Sequence, residues 1–342
     1  MYSTNNHQNM TFSKITGIGH YVPENVITNQ HLETLMDTSD AWITERTGIK
    51  ERRYFTYGKD TNASMAAEAS KIAIERAGIT PKDIDFIVYA TITPDYYFPG
   101  PGFVMQRELG MQGIGVLDIR DQCSGFIYAL STADQFIKSG MYKNILVIGS
   151  EIQSTFLNTS NEGRGVAVIF GDGAGAVVLQ ATENAEHRIL STHLHADGTY
   201  AEELYVKDPG SSRPKRFYDD LVENNKTGDV FMNGSAVFKH AIVRFPEVIR
   251  EALDKNGLKP EDIDLLVPHQ ANLRISEYVR QQMKMPEEKV MNNIQKYGNT
   301  TGASIPIALC EAWESGRVKD GDLICLAAFG SGFTWGSALI RW

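Results

Sequence analysis

The chain has 342 residues, with 33 basic against 42 acidic side chains, a formal charge of −9 and 42% hydrophobic residues; that is ordinary globular composition, which sets aside disordered, collagenous and coiled-coil classes. Its length allows two domains or one duplicated unit, and its acidic balance argues against a general nucleic-acid or anionic-membrane binder. Three scattered cysteines, Cys123, Cys310 and Cys325, suit neither a disulfide framework nor a thiolate zinc site and point to a reducing, cytoplasmic setting.

The first residues, Met1 to Met10, are polar and carry no signal pattern, and no apolar run is long enough to span a bilayer. Further along, the segment Gly78-Ile79-Thr80-Pro81-Lys82-Asp83-Ile84-Asp85 returns 179 residues later as Gly257-Leu258-Lys259-Pro260-Glu261-Asp262-Ile263-Asp264. Each copy predicts a helix-ending glycine, a turn and a buried strand, over residues 84–89 and 263–267. A strand is expected over 114–119, a helix from the spacing of Phe126, Leu130, Ala133 and Ile137, and strands over 144–149 and 166–170. Ser139-Gly140, which ends that helix, matches Ser315-Gly316 ahead of a strand over 322–328, at an offset of 176. A third pair, Phe170-Gly171-Asp172-Gly173-Ala174-Gly175-Ala176 and Phe329-Gly330-Ser331-Gly332, leads into strands over 176–180 and 337–341. Because strands follow these glycines, they form neither a dinucleotide fingerprint nor a P-loop.

His187, His193 and His195 lie near one another in sequence, but the alternation of the last two predicts one face of a strand, not a metal cluster. Residues 198–228 are charged and rich in turn residues, an excursion of surface loops. A long helix follows from Val237, Ala241, Phe245, Ile249 and Leu253. The fold class is therefore α/β, built as two similar halves, residues 1–184 and 185–342, with continuous apolar strands between helices.

Cys123, in Asp121-Gln122-Cys123-Ser124-Gly125, stands at a strand-to-helix junction, where the helix dipole and unpaired amides favour thiolate. Cys310 and Cys325 fall inside apolar patterns and read as packing residues. Carrying the offset of 176 onto Cys123 lands on Asn299, at the start of another helical stretch. His269 ends the second copy of the repeated strand, and binding sites of α/β sheets lie outside the carboxyl ends of strands. A Cys, His and Asn set fits two chemistries, a cysteine protease and an acyl-transferring condensing enzyme, which spacing does not separate. The duplicated α/β pattern is foreign to papain-like proteins.

Four motifs carry a resemblance: Val267-Pro268-His269-Gln270-Ala271-Asn272-Leu273-Arg274-Ile275, Gly298-Asn299-Thr300, Phe170 to Ala176 as quoted above, and Gly332-Phe333-Thr334-Trp335-Gly336-Ser337-Ala338-Leu339. Over about residues 15–342 the chain resembles the 3-oxoacyl-[acyl-carrier-protein] synthase III family of the thiolase superfamily. The resemblance implies a five-layered αβαβα fold and a homodimer. It implies that Cys123 is acylated by a primer acyl-CoA, that His269 and Asn299 stabilise the enolate formed when malonyl-acyl carrier protein loses carbon dioxide, and that the amides of Cys123 and Ser331 hold an oxyanion. It further assigns Trp42, Arg46, Arg164 and Asn272 to CoA, Lys239 and Arg274 to the acidic carrier protein, and Phe98 and Phe329 to the acyl pocket. No metal or redox cofactor, nucleic acid or membrane is implied. Gln122 and Ser124 beside the nucleophile, Ser331 in the oxyanion loop and Ser235 depart from the family's usual residues and leave primer choice open. Alternatives are a specialised synthase joining acyl-CoAs or making a polyketide-like product, and a non-catalytic subunit binding acyl chains or a carrier protein.

Overall fold

In the computed structural model, which describes residues 11–207, 210 and 230–342, the first half of the chain opens with β1 (Phe12–Tyr21). A short antiparallel pair, β2 (Asn25–Thr28) and β3 (Glu51–Tyr54), brackets α1 (Asn29–Glu33) and α2 (Asp40–Thr47). Then come α3 (Asn62–Arg76), β4 (Phe86–Ala90), α4 (Pro101–Glu108), β5 (Gly115–Ile119), α5 (Gly125–Lys138), β6 (Asn144–Glu151), the one-turn α6 (Arg164–Ala167) and β7 (Gly173–Thr182). The second half comprises β8 (Arg188–Ala196), β9 (Leu204–Tyr205), β10 (Phe231–Met232), α7 (Gly234–Lys255), β11 (Leu265–Pro268), α8 (Leu273–Gln282), α9 (Ile294–Tyr297), α10 (Ser304–Glu314), β12 (Leu323–Gly330) and β13 (Thr334–Arg341).

Two mixed sheets result, in the orders β1-β7-β6-β4-β5 and β8-β13-β12-β11. Their senses correspond: β4 runs parallel to β6 as β11 does to β12, and β7 and β13 are antiparallel to both of their neighbours. Where the first sheet ends in β5, the second has a single parallel bridge from Leu266 to Val290. Helices α3 and α4 cover the outer face of the first sheet through Met65, Ala69, Met105 and Leu146. Helices α7 and α8 cover the second through Phe245, Ile249, Val279 and Cys325. Between the sheets lie α5 and α10, whose Phe126, Leu130, Ile305 and Leu309 join Val147 and Leu326 in one cluster. That is a five-layered αβαβα arrangement, and burial on both faces is why the central strands read as unbroken apolar runs.

The repeat extends to hydrogen bonds. Gly78 and Gly257 take φ of 69° and 66°, a conformation that costs little without a Cβ. Thr80 and Lys259 donate their N–H to Asp83 and Asp262, each at 2.8 Å. The 3-10 turns Gln122–Ser124 and Thr301–Ala303 precede α5 and α10 at an offset of 179, whereas the helix-capping Ser139 and Ser315 lie 176 apart. Helix α10 is thus three residues shorter than α5, 11 against 14. The counterpart of Cys123 is therefore Gly302, not Asn299; the offset measured at the helix ends does not hold at their starts.

Two further expectations change. Residues 166–170 do not form a strand: α6 covers their start, Ala167 and Val168 pack with Leu32, Ile43 and Ile294, and Phe170 makes only an isolated bridge to Asn299. A five-residue apolar run suits a buried turn as well as a strand. Of the 198–228 excursion, a 3-10 turn (Gly198–Glu203), β9, Val206, Lys207 and Gly210 are described, β9 pairs with β10, and the rest lies outside the described residues. Among the described residues no helix is long and apolar enough to cross a membrane.

Candidate active site

Cys123 sits in the 3-10 turn between β5 and α5, 7% exposed. Gly330, the last residue of β12, lies against it: a Cβ there would stand 2.6 Å from Cys123 Cβ and 3.2 Å from Sγ. This close approach brings the N–H of Ser331 to the sulfur, which the N–H of Cys123 itself also reaches. Burial nevertheless pushes the thiol up to about 12, and the Glu151 carboxylate adds to the effect. The expectation of a resting thiolate is thus corrected: desolvation of the charged sulfur outweighs the helix terminus. Two convergent amides remain, suited to an oxygen that acquires charge beside the sulfur.

His269 follows β11, its N–H bonded to Ala327 O at 2.8 Å. Burial holds the imidazole down at about 3, so it is neutral at physiological pH. Its Nδ1 lies 2.6 Å from Ser304 Oγ, and the Gln270 N–H donates to the same Oγ at 3.4 Å. In the tautomer with the ring hydrogen on Nε2, the Ser304 hydroxyl donates to Nδ1 while its oxygen accepts from Gln270. Nε2 is buried and has no partner among the described residues. Asn299 accepts the Thr301 N–H through Oδ1 at 2.8 Å, which leaves its NH2 end for a ligand. In that tautomer both side chains offer an N–H with no charge attached.

Glu151, at the end of β6, was missed in the sequence. It is fully buried; one carboxylate oxygen accepts from Thr93 Oγ1 at 2.7 Å, while Oε1 has no partner. Burial pushes it up to about 7. A glutamate closing an otherwise apolar strand was the available signal. Ser304 gave none, because its meaning depends on His269, 35 residues away. Gln122 and Thr301 each take a left-handed backbone, φ 46° and 49°, at the equivalent first position of the two turns, a strained arrangement for residues with side chains.

A cavity of about 450 Å³ opens on Cys123, Thr301 and Ser331, walled by Phe156, Phe170 and Leu204. Phe98 and Phe329 are not among its lining residues. Phe98 is 80% exposed, and Phe329 lies in the second outer core, 4.9 Å from the Phe333 ring. Both therefore fall away from the pocket formed by this chain alone.

The four residues assigned to CoA meet at one place. Arg46 and Arg164 bring their guanidinium carbons 4.6 and 5.7 Å from the centre of the Trp42 ring, and Asn272 Nδ2 donates to Arg46 O at 3.0 Å. Lys239 and Arg274 are both exposed, with Arg274 5.9 Å over Phe238, and neither has a carboxylate partner among the described residues. Cys310 accepts from Arg76 at 3.3 Å; His20 and Glu314 stand with it at metal-ligand spacing, but Arg76 already pairs with Glu314 at 2.7 Å. His193 and His195 lie on β8, both against Glu251.

Comparison with known proteins agrees with the fold and the motifs. The model of the 3-oxoacyl-[acyl-carrier-protein (ACP)] synthase III family matches residues 117–198, and that of its C-terminal part matches 253–342. The chain is 47% identical over 328 residues to beta-ketoacyl-[acyl-carrier-protein] synthase III of Caldanaerobacter subterraneus subsp. tengcongensis, covering 96% of this chain and 97% of that one. The crystal structure of 3-oxoacyl-[acyl-carrier-protein] synthase III from Aquifex aeolicus superposes with a TM-score of 0.88 at 46% identity, over 96% and 100% of the two chains. The priming beta-ketosynthase of the R1128 polyketide pathway also gives 0.88, at 32% identity over 96% of each. With five matching layers, the repeated junctions and this degree of identity along nearly its whole length, the chain belongs to the 3-oxoacyl-[acyl-carrier-protein] synthase III family.

Proposed function

We propose that this protein is a condensing enzyme that primes on an acyl-CoA through Cys123 and extends the acyl group with malonyl-acyl carrier protein, starting fatty acid synthesis. The observation that carries this reading is the pair of amides on the Cys123 sulfur, set in one cavity with an otherwise buried thiol. In the first step the sulfur attacks the thioester carbon, the amides of Cys123 and Ser331 receive the oxyanion, and CoA leaves with the thiol proton. In the second, the malonyl group loses carbon dioxide and its electron pair moves onto the thioester oxygen, where His269 Nε2 and the Asn299 amide donate. A neutral histidine fits this role, since it stabilises the developing charge without surrendering a proton that would quench the enolate. The enolate carbon then attacks the Cys123 thioester, the carbon–sulfur bond breaks, and the sulfur regains a proton from solvent.

Every step is acyl transfer or decarboxylation, so no electron acceptor and no metal is required. Trp42 beside two guanidiniums is suited to a purine and its phosphates, and Lys239 and Arg274, with no carboxylate partner among the described residues, to an acidic carrier. A second copy is the expected partner of β5, an edge strand flanked by exposed Tyr96, Phe98 and Phe103. The free cysteines suit a cytoplasmic setting.

Incubation with a panel of acyl-CoAs, followed by intact-protein mass spectrometry, should give one acyl adduct that is absent in Cys123→Ala. His269→Ala and Asn299→Ala should still be acylated and lose malonyl decarboxylation by roughly 10²–10³-fold. Failure of every primer to form an adduct would sink the assignment.

A further inference from the structure

The cavity that opens on Cys123 is not uniformly apolar. Beside Phe156 and Phe170 it is lined by Arg120, Gln122 and Gln153. Gln153 is 3% exposed, and its Nε2 is buried with no hydrogen-bond partner. Leaving such a buried donor unpaired is costly, and native structures seldom do so without a use for it. Arg120 has no carboxylate partner among the described residues; its guanidinium carbon rests 5.6 Å over the Tyr97 ring. Asp118 and Asp121 flank it in sequence, but Asp118 accepts from Gly102 N–H at 3.1 Å, and neither forms an ion pair with Arg120 or lines the cavity. The described lining thus holds one cation, one buried amide donor and no carboxylate.

A saturated acyl chain would leave the buried Gln153 amide unpaired and offer nothing to the exposed Arg120 guanidinium. From these groups we infer, resting on the priming reaction proposed above, that the primer is an acyl chain with an apolar stem and a carboxylate at its far end, received by Arg120 and Gln153. A site built to hydrogen-bond such a group discriminates strongly against the analogue that lacks it.

The test uses matched pairs of CoA thioesters, butyryl with succinyl and hexanoyl with adipoyl, and follows Cys123 acylation by quenched intact-protein mass spectrometry. The carboxylated member should be faster in at least one pair, by roughly tenfold at the preferred length, the worth of one charge-assisted hydrogen bond. Arg120→Leu and Gln153→Leu should each lower that ratio. Equal or faster acylation by the unsubstituted member of both pairs overturns the inference while leaving the priming reaction intact, and this comparison needs only the parent protein. A carboxylate preference unaltered in both variants likewise overturns the assignment to these residues. Absence of any adduct from all four thioesters overturns the priming reaction itself.

Discussion

Gly330→Ala places a methyl group where the geometry of the nucleophile is set. The new Cβ would stand 2.6 Å from Cys123 Cβ and 3.0 Å from its backbone nitrogen. Carbon atoms rest at about 3.5–4.0 Å, so one of the two segments must retreat by about 1 Å. Neither has slack: Gly330 is paired to Thr334 across β12 and β13, and Cys123 is fixed in the turn that starts α5. The retreat therefore separates the two amides from the position of the oxyanion. A misplacement of that size costs about a hundredfold in rate, and overpacking of this kind costs about 1–3 kcal/mol of stability. Rapid-quench acylation by an acyl-CoA, read by intact mass, measures the first, and calorimetry the second. Ser331→Ala is the contrast: it keeps the N–H and loses only the hydroxyl bond to Leu204 O, so acylation should stay within about threefold of the parent. Parental acylation by Gly330→Ala would refute the claim that this contact positions the amides.

Glu151 makes stability depend on pH. Its native value, raised to about 7 by burial against an ordinary 4.5, means a contribution fully present below about pH 4.5 and lost as pH rises through 7. The full difference is about 3 kcal/mol; Glu151→Gln should flatten the decline in melting temperature over that range and lower the Cys123 thiol, seen as faster thiol alkylation at alkaline pH. Trp42→Ala removes the ring against which Arg46 and Arg164 rest. It should raise KM for the acyl-CoA by roughly tenfold with kcat little changed, as measured by initial rates.

Much of the architecture was legible because burial on two faces writes itself as unbroken apolar strands, and because the repeated glycines and aspartates mark the same turn twice. His269 was legible for a related reason: it breaks the match between copies at a strand end. Asn299 was reached by an offset that fails there, since three residues missing from α10 shift the register between its start and its end. Glu151, Ser304, Arg120 and Gln153 were not legible as site residues. Their significance arises from groups far away in sequence, such as the 35 residues between His269 and Ser304, and local periodicity carries no record of such meetings. The state of the Cys123 thiol was misjudged for the same reason: a helix start is visible in sequence, while the depth at which it is buried is not.

The layer formed by α5 and α10 has a consequence for how the chain holds together. Each sheet packs its inner face on helices drawn from both halves, with Phe126, Leu130, Ile305 and Leu309 in one cluster. A cut in the segment between Thr182 and Arg188 would sever the backbone without creating two bodies. Either piece alone would present one side of that layer to water, an apolar expanse far larger than a soluble monomer ordinarily exposes. The two copies therefore share a single interior, and the nucleophile at the start of α5 is held in place as much by the second half of the chain as by the half that encodes it.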